Sequence, residues 1–568
     1  MRLRQWLVLV CILLAGLSLR ALYFSELVHQ PDFWRPARDA EFHDYWARAL
    51  ATGDWAPPYA QRDPRIRETP FFRPPGYPYF LAMVYRLAGL GCVTPRIVQA
   101  GLGLVGGLLA FVFARRWYGA GVGLVLAALM NAYWVFIYFE GELHAPALLI
   151  VLLWAIVGVA AGWTERMSFR RAMATGGLVG LAALVRPNVL LLVPAILLWG
   201  VWIAHRRRSS RRILRIGAGL LLGTAVIVAP ATVRNYVVSG ECVLITSNAG
   251  INLFIGNNPR ADGGAAKEIA GLGDFGTCYD YPALVENLER AQGRELTSSQ
   301  VSAHFTRQAL RWIAAHPLDF LRLTVRKTCL FWGPREISHD KAIRCAREDS
   351  AVLARVPVNF WFVLGACLVG VASLVGEAKG ERKQARDPQV GLHKRWEVSV
   401  LLLVVVLTFF LSILPFFVSA RFRVPIVPFL LLFAAYGLCR LARLAATRGK
   451  RGIALMVAAL IALSWLAGRP APVSTIELAE WHLDRGMAYH RMLRFESAAE
   501  EYARSVRCSP NDAEARYYLA YALAVQGRSD DAAAQYHEVL RIDPDHAAAR
   551  RRLAVLQARG EEARADEE

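Results

Sequence analysis

Three kinds of motif are missing from this sequence, and each absence bears on function. The nine cysteines never occur at metal-ligand spacings such as Cys-x-x-Cys, so the sequence predicts no zinc site. There is no glycine-rich loop of the nucleotide-binding kind. The basic residues are not interleaved with aromatic residues as in nucleic-acid-binding modules, so we expect no nucleic acid partner.

Long apolar segments are what the sequence has instead. Of its 568 residues, 55% are hydrophobic, whereas soluble chains are about 45–50% apolar. The two apolar segments around Arg186-Pro187-Asn188 are short, and one kinked helix is the alternative there. Because about 17–25 apolar residues cross a bilayer as a helix, we predict about eleven spans, near 6–24, 95–114, 119–138, 145–163, 173–185, 188–204, 216–233, 356–376, 398–418, 424–440 and 453–468.

The net charge is +20, and the positions of the positive charges along the chain predict the orientation of these spans. Clusters of arginine and lysine fall in alternate loops, as in the run 205–215, and such clusters remain on the cytoplasmic side. The segments 25–94, 234–355 and everything after about 469 are then predicted to be extracytoplasmic. Disulfides persist on that side, but the spacing assigns no pairing among the cysteines placed there, Cys242, Cys278, Cys329, Cys345 and Cys508.

Two amphipathic helices are predicted in the first outer segment. Between Ala40 and Leu50, apolar residues recur at helical spacing on one face, while Glu41 and Asp44 take the other. This pattern is typical of a helix that lies on a membrane surface, and Gly53 fits its end. A second such helix is expected after Pro78.

The C-terminal part of the sequence repeats itself every 34 residues: Ala498 matches Ala532, and Pro510 matches Pro544. The period is that of the tetratricopeptide repeat, a helix–turn–helix unit. We therefore predict a repeat domain over 474–558, followed by a disordered acidic tail over 559–568. Two repeats and a capping helix are marginally stable alone, so we expect them to dock on the membrane domain or on a partner.

Several motifs, taken in their order along the chain, resemble the GT-C glycosyltransferases. An acidic residue precedes the first amphipathic helix, PPGYP leads into the second, and GLAALVRPNVLLLVPAILL, RNYVVSGECVLITSNAGINLFIGNNP and RFRVPIVP follow. The sequence is most similar to the branch of protein O-mannosyltransferases and aminoarabinose transferases. The resemblance covers about residues 1–440. The predicted fold is thus an all-α polytopic membrane domain over 1–468 with amphipathic outer helices, followed by the α-helical repeats.

The resemblance implies a sugar donor attached to a polyprenyl phosphate, with an acidic residue of the first outer loop serving the acceptor. Elementary chemistry agrees with this scheme. The leaving phosphate monoester has a second pKa of about 6, so it needs positive charge but no general acid. A hydroxyl acceptor needs a base, and a positioned carboxylate can supply it. We therefore predict an inverting transferase of the bacterial inner membrane whose site and repeats face the periplasm.

Three carboxylates are candidates for the catalytic group. Asp39 is the predicted base or acceptor-orienting group, and the alternative is that it only caps the helix starting at Ala40. Glu41 lies next to this turn on the polar face of the helix, and the alternative is that it is only solvated. Glu142 lies at the outer end of the third predicted span and is expected to support the site, more than its neighbour Glu140. The family often has an acidic residue slightly further on, where this chain reads His144-Ala145-Pro146.

Arginines are the predicted ligands of the donor phosphate, because a guanidinium binds phosphate oxygens bidentately. The alternative is that these side chains extend to lipid headgroups. A divalent metal would suit carboxylates with phosphate, but the branch that the sequence resembles most is metal-independent, so no metal or other cofactor is predicted. The arginines concerned are Arg73, Arg186, Arg234, Arg421 and Arg423.

Two other functions compete with this prediction. The chain could be a membrane-anchored scaffold whose repeats serve an envelope complex, or a transporter of a lipid-linked sugar. A transporter should carry charged residues at several mid-span positions, and the sequence has few. In the transferase hypothesis the partners are the bilayer, the polyprenyl-phosphate-linked sugar, and a protein that the repeats recruit.

Overall fold

A computed structural model describes residues 3–57, 63–207, 213–264, 268–269, 273–274, 281–338, 341–384, 390–466 and 473–567. The chain divides into two compact units. The membrane unit comprises Met1–Phe24, Phe42–Ile337 and Val352–Pro470. The repeat unit comprises Ser25–Glu41, Ser338–Ala351 and Ala471–Glu568. The division groups two short pieces of the predicted outer segments with the repeats.

The described residues are almost entirely helical, which confirms the predicted fold class. Two antiparallel strands of two residues each, β1 (Glu268–Ile269) and β2 (Gly273–Asp274), interrupt the helices. The helices before the repeats are α1 (Leu3–Leu27), α2 (Pro31–Trp34), α3 (Arg38–Thr52), α4 (Gly76–Ala88), α5 (Val93–Tyr118), α6 (Ala120–Ala132), α7 (Trp134–Gly141), α8 (Pro146–Ala161), α9 (Phe169–Val185), α10 (Leu192–Arg206), α11 (Ile213–Ser239), α12 (Ala249–Gly256), α13 (Tyr281–Gln292), α14 (Ser298–Ala315), α15 (Pro317–Trp332), α16 (Ile343–Asp349), α17 (Ala351–Arg355), α18 (Phe360–Gln384), α19 (Val390–Ile413), α20 (Ala420–Arg423) and α21 (Val427–Leu466).

Eight helical segments within the described residues are long and apolar enough to cross a bilayer. They account for eight of the spans predicted from the sequence. The segments are Leu3–Leu27, Val93–Tyr118, Pro146–Thr164, Pro187–Arg206, Ile213–Ser239, Phe360–Glu377, His393–Ile413 and Ala420–Thr447.

The other three predicted spans fall on helices of a different kind. The segment predicted at 119–138 is divided into α6 and α7, because Tyr133 between them has an extended backbone (ψ 105°). The segment at 173–185 lies in α9, which has 17 residues. The segment at 453–468 begins in the distal part of α21, beyond a break in the helix at Gly449 (φ +57°). Residues 467 and 468 lie outside the described residues.

Helices α9 and α11 pack with their backbones in close contact. A methyl group added at Gly223 of α11 would lie 2.0 Å from the carbonyl oxygen of Met173 in α9. On the other helix, a methyl group at Gly176 would lie 2.0 Å from the carbonyl oxygen of Leu220. Small residues permit such an approach between helices in lipid, where dispersion contacts replace the hydrophobic effect. This pair carries the turn at Arg186, where α9 ends.

The structure corrects the predicted environment of the first amphipathic helix. Helix α3 begins at Arg38, two residues earlier than predicted, and ends before Gly53, whose φ is +82°. Its apolar residues Phe42, Tyr45 and Trp46 are buried in a cluster with residues of α12, α13 and α14. The apolar face of α3 therefore packs against α12, α13 and α14, where the periodicity had suggested a membrane surface.

The repeat unit contains the helices α22 (Thr475–Arg491), α23 (Phe495–Cys508), α24 (Ala513–Val525), α25 (Ser529–Ile542) and α26 (Ala547–Glu567). Ser474 and Glu477 form a capping box at the start of α22. The residues that match at 34-residue spacing, Ala498 and Ala532, are fully buried in one apolar cluster. The segment 559–567, predicted to be disordered, continues α26 as a helix because it is rich in alanine, glutamate and arginine, which favour helix.

Candidate functional site

The loop that follows α7 carries Glu142 and is held through its backbone. The Gln99 amide nitrogen donates to the carbonyl oxygens of Glu140 (2.9 Å) and Glu142 (2.6 Å). Arg96 donates to the carbonyl oxygen of Gly141 at 2.7 Å. Arg96 and Gln99 are themselves buried in α5. These contacts use main-chain acceptors to fix the loop, and Glu142 itself is only 4% exposed.

Two histidines and a tyrosine lie beside this loop. His43 of α3 donates from Nδ1 to the carbonyl oxygen of Leu143 at 3.0 Å. The His43 ring meets the ring of His144 edge-on, with 5.7 Å between their centroids, and meets Tyr77 at 5.1 Å. Tyr77 in turn donates to Gln99 at 2.5 Å. The PPGYP motif and the Glu142 loop are thus joined in one polar network, as expected of motifs that share a site.

Glu140 and Glu142 have different surroundings. The Glu140 carboxylate forms a buried ion pair with Arg20 of α1, with 2.6 Å between Nε and Oε2. Arg20 also donates to Asn131 at 3.1 Å. A buried charge is tolerated when it is paired and hydrogen-bonded, so the Glu140 pair ties α1 to α7. The sequence-based preference for Glu142 over Glu140 stays a prediction.

A pair of arginines meets at Phe422. The Arg186 guanidinium carbon lies 4.2 Å from the centroid of the Phe422 ring, and that of Arg421 lies 5.3 Å from it. Arg186 also donates to the carbonyl oxygen of Arg421 at 3.0 Å. Two guanidiniums that approach each other repel, and an anion bound between them relieves that repulsion.

An amide with unused hydrogen-bonding capacity follows Arg186 by two residues. The Asn188 nitrogen donates to Ser412 at 2.8 Å. Its carbonyl oxygen is buried and has no hydrogen-bond partner among the described residues. A buried polar atom of this kind costs free energy unless a ligand or a water satisfies it. That oxygen is an acceptor, so only a donor such as a hydroxyl group can satisfy it. We therefore take Arg186 and Arg421 as the candidate anion site of the membrane unit.

Arg423, by contrast, is buried and hydrogen-bonded within the protein interior. It is 2% exposed and donates to the carbonyl oxygens of Phe331 (2.9 Å), Gly333 (2.8 Å) and Arg335 (3.0 Å). It also forms an ion pair with Glu336 at 2.7 Å. These partners and the burial hold the guanidinium inside the protein, so we withdraw Arg423 as a candidate ligand of the phosphate.

Arg73 and Arg234 lie around the start of the PPGYP motif. Arg234 donates to the carbonyl oxygen of Pro70 and to the hydroxyl of Tyr79, both at 3.1 Å. It therefore fixes the chain on both sides of the motif. Arg73 is half-buried, with its guanidinium carbon 5.7 Å from the centroid of the Phe42 ring.

Asp39 and Glu41 belong to the repeat unit. Asp39 is 3% exposed and lies in the first turn of α3. The alternative role as an N-cap does not hold, because the helix already begins at Arg38. The Glu41 carboxylate forms an ion pair with Arg491 of α22 at 3.0 Å. Glu41 is therefore engaged by a cation, which weakens it as a candidate base.

Several residues of this arrangement escaped the sequence analysis. Arg96 and Gln99 could have been found as polar residues within an apolar span, which are functional candidates by default. Among the described residues there is no group of three or more His, Cys, Asp or Glu side chains that could hold a metal ion. The described cysteines of the outer segments, Cys242, Cys329, Cys345 and Cys508, are unpaired, and Cys278 lies outside the described residues.

Residues 72–233 match the sequence profile of the dolichyl-phosphate-mannose-protein mannosyltransferase family. This match confirms the resemblance predicted from the motifs. The mannosyltransferase-like segment contains Arg73, Glu142 and Arg186, together with the Arg96 and Gln99 contacts. Residues 483–547 and 525–565 match a tetratricopeptide repeat profile, which confirms the repeats. No curated protein sequence matches the chain.

Two solved structures resemble the chain at low identity. One is an oligosaccharyltransferase of Archaeoglobus fulgidus in complex with zinc and sulfate, with a TM-score of 0.43 at 13% identity. The alignment covers 86% of this chain and 57% of that one, so this chain spans little more than half its length. Another is ArnT of Cupriavidus metallidurans bound to undecaprenyl phosphate, with a TM-score of 0.40 at 16% identity, covering 93% of this chain and 79% of that one.

Proposed function

We propose that this multi-pass membrane protein is a glycosyltransferase that moves a sugar from a polyprenyl-phosphate carrier to an acceptor hydroxyl. The observation that carries the proposal is the pair of guanidiniums that Arg186 and Arg421 place at Phe422. A phosphate monoester attached to a lipid suits such a site, because the arginines receive the charge that develops as the sugar departs. The match of residues 72–233 to a mannosyltransferase profile supports the same assignment.

The proposed reaction is a single inverting displacement. The acceptor oxygen forms a bond to the anomeric carbon while the bond from that carbon to the phosphate oxygen breaks. The acceptor proton passes to a carboxylate, for which Asp39 is the proposed base and Glu142 a supporting group. Polyprenyl phosphate leaves with the bonding electrons, held by Arg186 and Arg421. Arg73 and Arg234 are proposed to shape the approach to this site.

The proposed location is the bacterial inner membrane, with the chemistry on the periplasmic side. The repeats are proposed to recruit a protein acceptor or partner. This topology follows from the alternation of basic loops, since each cytoplasmic cluster is followed by an outer segment.

The proposal is tested with the full chain in nanodiscs and a radiolabelled polyprenyl-phosphate sugar. Asp39→Asn should lower kcat by about 10²–10⁴-fold, as loss of a general base does. Arg186→Gln should weaken donor binding by about 10–100-fold, the effect of one hydrogen bond to a charged group. Arg116→Gln, which alters a cytoplasmic surface pair with Glu165, is the matched control and should match the wild type.

Two results would favour the rival functions. If donor binds but no transfer occurs with extracts of the cell envelope, a scaffold with a residual lipid site explains the data better. If the labelled donor crosses the bilayer of a proteoliposome, a transporter explains the data better. Mass analysis of envelope glycans and glycoproteins from cells with and without the chain would then identify the acceptor class.

A further inference from the structure

The repeat unit holds the segment of chain that carries Asp39. On one side of Asp39, Arg38 forms an ion pair with Asp484 of α22, with 2.8 Å between Nη2 and Oδ1. On its other side, Glu41 pairs with Arg491 at 3.0 Å. Arg491 also donates to the carbonyl oxygen of Pro36 at 3.0 Å. Asp39 thus lies between two residues that are anchored on one helix.

The two ion pairs form together only when α3 and α22 are aligned as observed. Arg38 and Glu41 are three residues apart at the start of α3. Asp484 and Arg491 are seven residues apart, two turns along one face of α22. A cation then faces an anion at each end, and a shift by one turn would break both pairs. Two oriented pairs fix both the position and the rotation of the first turn of α3.

These pairs are shielded from water. The side chains of the first pair are 15% and 6% exposed, and those of the second 15% and 5%. By contrast, the pair of Arg528 with Asp531 on the repeat surface has both side chains 56% exposed. Exposed pairs contribute little to stability, whereas removing one partner of a shielded pair leaves an uncompensated charge.

Further contacts hold the chain upstream of Asp39. Lys341 forms an ion pair with Asp32 at 2.7 Å, and both side chains are nearly buried. Gln30 accepts a hydrogen bond from Arg485 of α22 and donates one to Asp349 at 2.7 Å. The stretch from Gln30 to Glu41 is therefore held at several points within the repeat unit.

We propose that helix α22 is a positioning element of the transferase, with Asp484 and Arg491 as its positioning residues. This inference rests on the proposed function, because it concerns the Asp39 carboxylate. A repeat module that served only to recruit an acceptor would not need to bind the segment from Gln30 to Glu41. Loss of the ion pairs to Asp484 and Arg491 would let the first turn of α3 move, and Asp39 would move with it.

The test uses point variants of the full chain in nanodiscs. Asp484→Asn and Arg491→Gln each break one pair. Arg38→Asp combined with Asp484→Arg reverses the first pair, and aspartate tolerates the positive φ of 57° at position 38. Arg528→Gln removes an exposed pair of the same repeat domain and is the matched control. Transfer kinetics and hydrogen exchange of the backbone amides of residues 33–41 are measured on each variant.

The two single variants should show faster exchange over residues 33–41 and a kcat lowered by about tenfold or more, because small misplacements of a reacting group are costly. The KM for the donor should change by less than about twofold, since the arginines that bind its phosphate are unaltered. The charge reversal should restore much of kcat, and the control should match the wild type.

Unchanged exchange in the single variants, or faster exchange with unchanged kcat, would overturn the proposal. A loss of kcat that the charge reversal does not rescue, together with a lowered melting temperature of the repeats, would also overturn it in favour of a general folding role. Absence of transfer by the wild type would instead refute the proposed function. The exchange data would then still decide whether α22 holds the segment.

Discussion

Two arginines of one motif have different surroundings in this structure. In Arg421-Phe422-Arg423, the first side chain is half-buried and lies beside Arg186, whereas the second is buried and donates to three carbonyl oxygens beside Glu336. The sequence analysis weighed them alike, because spacing alone does not reveal how deeply each guanidinium is buried. Their difference can be measured.

Substitutions at these two positions should separate binding from stability. Arg421→Gln should reduce donor affinity by about 10–100-fold and leave the unfolding temperature close to that of the wild type. Arg423→Gln should reduce the free energy of unfolding by about 3–5 kcal/mol, because it leaves buried Glu336 without its cation. Thermal unfolding and donor titration on both variants check this. Equal losses of stability would mean that Arg421 is also structural.

Lys327 gives the membrane unit a predictable pH dependence. Its ammonium in α15 is fully buried and donates to Asn257 and to the carbonyl oxygen of Leu414, both at 3.2 Å. Burial lowers the pKa of Lys327 to about 8, whereas an unfolded lysine has a pKa of about 10.4. Between these values the unfolded chain binds more protons, so stability should rise with pH.

A comparison of the wild type with Lys327→Met isolates this effect. From about pH 8 to pH 10, the unfolding free energy of the wild type should rise relative to the variant, by at most about 1.4 kcal/mol per pH unit. Below pH 8 the difference between the two proteins should be constant, because the lysine is then protonated in both states. Chemical denaturation in detergent at several pH values measures this difference in unfolding free energy. A difference that falls with pH would contradict the assignment.

At the scale of helices, the contact between α9 and α11 depends on the absence of a side chain. Gly223→Ala should destabilise the membrane unit by about 1–3 kcal/mol, since the added methyl group must push the Met173 carbonyl away. Gly101→Ala in α5 is the matched control, because nothing lies within 4 Å of its added methyl group. Alanine is the better helix former, so equal stability of both variants would disprove the close approach. Unfolding in detergent compares them.

Sequence periodicity predicted most helices but not what their faces contact. The apolar stripe through Phe42, Tyr45 and Trp46 correctly indicated a helix. The same stripe would suit a membrane surface or a protein interior, and only the fold shows that it packs against α12, α13 and α14. The packing of the repeats was easier to predict, because a 34-residue period specifies both the helices and the helices that they contact.

At the scale of the whole chain, the sequence identified the elements of the candidate site better than their connections. Arg186 and Glu142 stand in motifs that a family profile also matches. The network of Gln99, His43 and Tyr77 could not be predicted, because these residues are far apart in sequence and carry no shared pattern. The pairs that join α3 to α22 also depend on a contact across more than 400 positions, as the separation of 446 residues between Arg38 and Asp484 shows.

The side of the membrane on which the repeats lie depends on the number of crossings. The basic loops predict a cytoplasmic N-terminus. The predicted eleven or so crossings then put the C-terminus on the opposite side, whereas the eight long helices alone would return it to the cytoplasm. We expect alkaline phosphatase fused after Arg290 or Glu568 to be active, and green fluorescent protein fused after Arg206 to fluoresce. Fluorescence of a fusion at Glu568 would contradict the odd count. It would place Asp484 and Arg491 on the cytoplasmic side, where they could not hold an outer segment.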